Sequence, residues 1–189
     1  MDWITIIFTS SIVAATSNFI LSTIKEYAIY KNDKNRRTEL LVTSLAYKME
    51  RFSIECGNQI CESKCLLTEN ENDPIKHGKF HNKLPILDID IENIKWENVD
   101  IEFIARINNL FHEILLSNES ILSGNEVDWE VGVREHIICS SLIGYKVWLL
   151  ANELKQKYDI PKLDINTNYN NPIEDILIPE YEKYNQKIK

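Results

Sequence analysis

Glycine and proline are scarce in this chain, and their scarcity limits the sites it can hold. Only five of each occur in 189 residues. Neither a G-x-G-x-x-G nor a G-x-x-x-x-G-K spacing is present, so the sequence has no glycine-rich loop for dinucleotide or nucleoside triphosphate phosphates. No other catalytic motif stands out, and we expect a protein that acts without catalysis.

Basic charge is also in short supply. The chain has 21 Lys and Arg against 29 Asp and Glu, a formal net charge of −8, and the acidic residues lie mainly after position 50. A nucleic-acid-binding domain usually carries a basic face. This composition therefore argues against direct nucleic-acid binding.

Charged side chains are absent altogether from Trp3 to Ile24. A helix of 22 residues is about 33 Å long, enough to cross a hydrocarbon core of about 30 Å. Its ten strongly apolar residues favour insertion by about 3–6 kcal/mol, while nine Ser, Thr and Asn residues oppose it. We predict a transmembrane segment over residues 1–24. A buried helix of a soluble protein is the main alternative, and a signal peptide is a weaker one because no basic residue precedes the segment.

Five basic residues follow this segment directly: Lys25, Lys31, Lys34, Arg36 and Arg37. Basic residues beside a span remain on the cytoplasmic side. We therefore predict a single-pass membrane protein with residues 25–189 in the cytoplasm. The cluster could also meet anionic headgroups, although charge alone favours a topology signal.

Hydroxyl side chains recur within the predicted span. Thr9, Thr16 and Thr23 are seven residues apart, and Ser10 and Ser17 lie beside them. Small polar residues on one face allow membrane helices to approach and hydrogen-bond. We predict that this face pairs with a second copy or with another subunit. The alternative is that the hydroxyl groups bond only to their own helix.

The rest of the chain predicts an all-α fold, a small three-helix antiparallel bundle with one long loop. Apolar residues at helical spacing mark a first helix over residues 25–67. A polar loop covers 68–97, and two further helices are expected at about 99–122, capped by Asp100 and ended by 123–125, and at about 128–158. The helical domain thus spans 25–161. Residues 162–189 form a polar tail in which a short helical piece near 173–178 is expected.

Two patterns of Cys and His could carry chemistry. Cys61, Cys65, His77 and His81 have the paired spacing of zinc ligands, but the stretch between the pairs is acidic and lacks the aromatic residue of a zinc finger. Packed thiols and surface histidines are the favoured alternative, so no cofactor is expected unless zinc binds. Cys139, three residues after His136, could form a Cys–His pair, although its apolar neighbours favour a core position.

The chain resembles a group of uncharacterised bacterial proteins with an N-terminal membrane segment and a small helical domain. The stretches that carry this resemblance are residues 49–56, 94–100, 145–151 and 160–161. The similarity covers about residues 25–161 and implies a membrane anchor and a helical fold, but no activity. Small helical proteins with one or two spans also serve as membrane effectors in bacterial antiviral systems, including retrons, and a bacterial chain of this kind would lie in the inner membrane. By this class analogy we expect a membrane effector or partner subunit. A membrane-tethered zinc or thiol domain, or a structural assembly protein, is the alternative.

Overall fold

The structure is a computed structural model that describes residues 3–68, 81–160 and 171–188; among these, the side chains of 3–21, Ile24, Lys187 and Ile188 are not described. These described residues form four α-helices: α1 (Trp3–Thr68), α2 (Ile101–Val127), α3 (Trp129–Lys157) and α4 (Ile178–Ile188). A π-helical turn, Pro172–Leu177, leads into α4. The described residues contain no strand. The prediction of an all-α protein is confirmed.

The chain divides into two compact units, Met1–Leu40 and Leu41–Lys189. The second unit holds the core, and α1 enters it with the predicted apolar stripe. Leu45, Met49, Phe52, Cys56 and Ile60 are all buried, as the four- and three-residue spacing predicts. Opposite this stripe, α2 contributes Phe103, Ile107, Leu110 and Ile121, and α3 contributes Val133, Ile137, Val147, Leu150 and Leu154.

Helices α2 and α3 form an antiparallel hairpin joined at a single residue. Arg106 pairs with Glu153 and, two turns on, Glu113 pairs with Lys146. Asp128 caps both ends of the turn: its backbone N–H donates to the Gly124 carbonyl, and its carboxylate accepts from the Glu130 N–H at 2.9 Å. The prediction that residues 123–125 end α2 is wrong. Gly124 stays helical because it lies against Gly132, where neither residue has a side chain to keep the helices apart.

Helix α3 also runs antiparallel to the second half of α1. Glu50 pairs with Lys155 near one end, and Ser63 meets His136 near the other. Because α3 opposes both helices, α1 and α2 run parallel to each other, whereas these two consecutive helices would be antiparallel in the antiparallel bundle that we predicted. The long connection between α1 and α2 allows this arrangement, since residues 81–100 bring the chain back along α1 before α2 begins.

Residues 81–100 make that return along the outside of the bundle. His81 contacts Glu62, Asp88 pairs with Lys48, and Asp100 pairs with Lys157. Leu84, Leu87, Ile89 and Val99 point into the core. The loop prediction is confirmed for this part, and the Asp100 cap is confirmed by its bond from the Glu102 N–H at 3.0 Å.

The C-terminal helices pack closely on α1 and α3. Tyr181 stacks on Tyr145 with ring centroids 3.9 Å apart, and the buried Glu180 carboxylate pairs with Lys64. A Cβ atom on Gly57 would lie 2.6 Å from the Pro172 carbonyl oxygen, so glycine is needed for this contact. The sequence predicted only a short helical piece near 173–178. The helix is longer because its apolar face packs on the bundle and Glu180 pairs with Lys64.

Among the described residues, α3 is the one helix long and apolar enough to cross a membrane, and half of its most apolar stretch is buried. Its apolarity has a local explanation, because α1, α2 and α4 all pack on it. The predicted span Trp3–Ile24 is helical in its backbone as the start of α1. It is not confirmed as a transmembrane helix, since the side chains of residues 3–21 and Ile24 lie outside the described part.

Candidate functional site

The most concentrated polar chemistry in the bundle surrounds His136, a fully buried residue in the first half of α3. Ser63 Oγ lies 3.0 Å from His136 Nδ1, and Gln59 Oε1 lies 3.1 Å from Nε2. Gln59 and Ser63 are one turn apart on α1, so both face the imidazole ring. Ser140 Oγ, one turn along α3, adds a longer contact of 3.4 Å to Nε2.

This geometry fits a neutral imidazole with its proton on Nε2. That tautomer donates to the Gln59 carbonyl oxygen and accepts the Ser63 hydroxyl proton on Nδ1. Burial and, to a smaller extent, the nearby His81 lower the pKa of His136, and the net value is about 4. A backbone hydrogen bond with Lys83 and the charge of Glu62 act in the opposite direction. The ring is therefore neutral at physiological pH.

His81 connects this buried network to the surface. Its ring stacks on His136 with centroids 5.9 Å apart, and its Nε2 atom bonds to the Glu62 carboxylate. An open groove of about 510 Å³ lies beside it, lined by Glu55, Gln59 and residues 81–86. The network thus fastens the start of the 81–100 segment to α1 and α3.

The zinc hypothesis concerned Cys61, Cys65, His77 and His81. Cys61 and Cys65 are exposed free thiols near the end of α1, and His81 is half-buried beside Glu62. His77 lies outside the described residues. Within the described part of the chain, no three candidate ligands come together as a metal site. Zinc binding by all four residues stays a prediction.

The second pattern, Cys139 with His136, is not an activated pair. Burial raises the pKa of Cys139, and the net value is about 11 even though a hydrogen bond from the Ser117 hydroxyl acts in the opposite direction. A nucleophilic cysteine needs a lowered pKa to supply thiolate at neutral pH. His136 is instead engaged by Ser63 and Gln59 of α1. This geometry agrees with the core position that the apolar neighbours of Cys139 favoured.

Of the hydroxyl residues predicted to pair the membrane helix with another helix, the structure describes the side chain of one only. Thr23 is exposed, whereas Thr9, Thr16, Ser10 and Ser17 lie outside the described side chains. The pairing prediction is therefore open.

Sequence reasoning missed the His136 network, although one signal was available. Ser53 and Ser63 fall on the buried stripe of α1, between Met49 and Cys56 and just beyond Ile60. A polar residue on an apolar stripe needs a partner, and every buried side-chain nitrogen and oxygen of the described residues has one. Ser53 donates to the Gly144 carbonyl at 2.9 Å. The partners themselves lie 73 to 91 positions away in sequence, which no local pattern specifies.

The comparisons with known proteins leave the site to be interpreted from its own chemistry. No protein-family model, no curated protein and no solved structure matches the chain significantly.

Proposed function

We propose that this chain is a single-pass membrane protein whose acidic helical bundle acts without catalysis, as a membrane effector or as the partner subunit of another protein. The observation that carries the proposal is the uncharged segment Trp3–Ile24 followed at once by five basic residues. Insertion with the basic side in the cytoplasm follows from that order. The expected location is the bacterial inner membrane, with the bundle in the cytoplasm.

The bundle supports a binding role by the way its polar groups are used. His136, Ser53 and Ser63 are buried and bonded within the fold, and Cys139 is held as a neutral thiol. These groups stabilise the bundle instead of facing a substrate. The exposed surface of α2 includes Leu115 and Leu116, which are 56% and 63% exposed. Such residues are available to a protein partner, while direct binding of nucleic acid is disfavoured by the net charge.

A role in bacterial antiviral defence, resembling the membrane effectors of retrons, is the more specific form of this proposal. Its support is the class analogy alone. Expression of the intact chain in cells should lower the membrane potential and slow growth. The Ile12→Arg, Val13→Arg variant, which places two charges in the middle of the span, should do neither. Unchanged potential and growth with the intact chain would rule out the effector role and leave that of a partner subunit or structural assembly protein.

A membrane-tethered zinc or thiol domain is the second candidate. It is favoured by one observation: Cys61 and Cys65 are exposed one turn apart on α1, and His81 reaches Glu62 between them. Metal analysis of the purified chain should find zinc, and Cys61→Ser with Cys65→Ser should remove it. The Cys56→Ser variant, at a buried position, is the matched control. Absence of zinc from the wild-type chain purified without chelator would eliminate this candidate.

A further inference from the structure

The stretch of α1 that follows the uncharged segment has two different faces. Tyr27, Tyr30, Lys31 and Lys34 are spaced zero, three, four and seven residues apart and share one side of the helix. Lys25 and Arg36, eleven residues apart, share the opposite side. We call the first set the Tyr–Lys face. All of these residues belong to the unit Met1–Leu40.

The Tyr–Lys face is open to its surroundings. Tyr27 is 66% exposed and Tyr30 is 63% exposed, Lys31 is exposed and Lys34 is partly so. Within the described part of the chain, neither Lys31 nor Lys34 forms a salt bridge with an acidic residue. Two phenol groups and two ammonium groups on one face form a surface that is both amphipathic and cationic.

The position along the helix determines which partner this surface fits. At about 1.5 Å per residue, Tyr27 lies about 5 Å beyond Ile24 and Lys31 about 11 Å beyond it. A headgroup layer extends about 5–8 Å past the hydrocarbon core, and a lysine side chain can reach several ångströms back toward it. Tyrosine rings collect at this depth, and lysines there attract anionic headgroups.

We propose that the Tyr–Lys face binds the phosphate groups of anionic lipids in the cytoplasmic leaflet. This proposal rests on the membrane anchoring proposed above and adds a lipid class and a binding surface to it. The charge count alone predicted no more than a topology signal. The shared face and the exposure of its two tyrosines are what favour lipid binding.

The test compares the full chain carrying Tyr27→Trp as a fluorescent reporter with the parent chain, whose four native tryptophans give the signal to be subtracted. Both are reconstituted into vesicles of phosphatidylcholine with or without phosphatidylglycerol. Brominated phosphatidylglycerol should quench the reporter more strongly than brominated phosphatidylcholine. Lys31→Gln with Lys34→Gln should reduce the preference by about fivefold for each lysine removed. Salt at about 1 M, where the Debye length is about 3 Å, should abolish it.

The matched control is Lys25→Gln with Arg36→Gln, which removes the same charge from the opposite side. It should retain most of the preference. Equal quenching by both lipids in the wild-type background, or equal loss in both double variants, would overturn the proposal. Disulfide-linked dimers of a Tyr30→Cys variant that also carries Cys61→Ser and Cys65→Ser, without any lipid preference, would assign the face to a second copy and overturn the proposal as well.

Flotation with pure phosphatidylcholine vesicles separates this proposal from the membrane anchoring. A chain that floats but shows no lipid preference retains the anchoring and loses the lipid-binding face. A chain that does not float with these vesicles contradicts the anchoring and, with it, the lipid-binding face.

Discussion

Stability of the bundle should depend on pH through His136. The imidazole is fully buried and neutral, with a pKa lowered to about 4, whereas an unfolded histidine has a pKa of about 6.5. Between these values the unfolded chain binds a proton that the folded chain does not bind. The free energy of unfolding therefore decreases as the pH falls from about 6.5 toward about 4.

The two pKa values set the size of the effect. The full titration corresponds to about 3 kcal/mol, and about 2 kcal/mol of it is lost between about pH 8 and about pH 5. Carboxylates such as Glu153, whose pKa is lowered by its hydrogen bond from Arg106, add their own dependence at more acidic pH. Above about pH 5, the pH dependence of the free energy of unfolding therefore reports the histidine and not these carboxylates.

Urea unfolding of the full chain in detergent, followed by tryptophan fluorescence, measures this free energy at each pH. His136→Gln should lose about 2 kcal/mol less than the wild type between about pH 8 and about pH 5, whatever its stability at pH 8. His112→Gln, at an exposed histidine on α2, is the control and should follow the wild type. Parallel pH profiles for the wild type and His136→Gln would refute the claim that His136 is buried in the neutral state.

Two further predictions concern the packing of α3. Lys155→Met should destabilise the chain by about 3 kcal/mol, because it leaves the 19% exposed Glu50 side chain without its buried partner. Adding Glu50→Leu to Lys155→Met should recover most of that loss in a double-mutant cycle. Recovery of nothing would show that the two side chains are not coupled. Gly144→Ala should cost about 1–2 kcal/mol by thermal unfolding despite the better helix propensity of alanine, since its Cβ atom would lie 2.8 Å from Cys56 Cβ. Gly124→Ala, whose nearest contact is 3.2 Å, should cost less, and the reverse order would contradict the packing described.

Local patterns predicted the parts of the fold that local chemistry determines. The buried stripe from Leu45 to Ile60 and the cap at Asp100 are both set by residues within a turn or two of each other. Gly124 misled the prediction because glycine is typical both of helix ends and of close helix contacts. Only the approach of Gly132 distinguishes the two.

Contacts between residues far apart in the chain could not be predicted from the sequence. The parallel arrangement of α1 and α2 depends on where residues 81–100 lie, and their contacts with Glu62 and Lys48 have no sequence pattern. The sequence predicts a polar tail where α4 lies, because a glutamate such as Glu180 is typical of an exposed position. In the fold Glu180 is buried against Lys64, so the apparent polarity of the segment hides its packing.

The membrane anchor is the central claim, and extraction of cell membranes with alkaline carbonate tests it most directly. The wild-type chain should remain in the membrane pellet. Ile12→Arg with Val13→Arg should release it, because two charges at the centre of a span cost about 5–7 kcal/mol against the 3–6 kcal/mol or so that favours insertion. Leu115→Arg with Leu116→Arg, at exposed positions of α2, should leave it in the pellet. A wild-type chain found wholly in the soluble fraction without detergent would contradict the account.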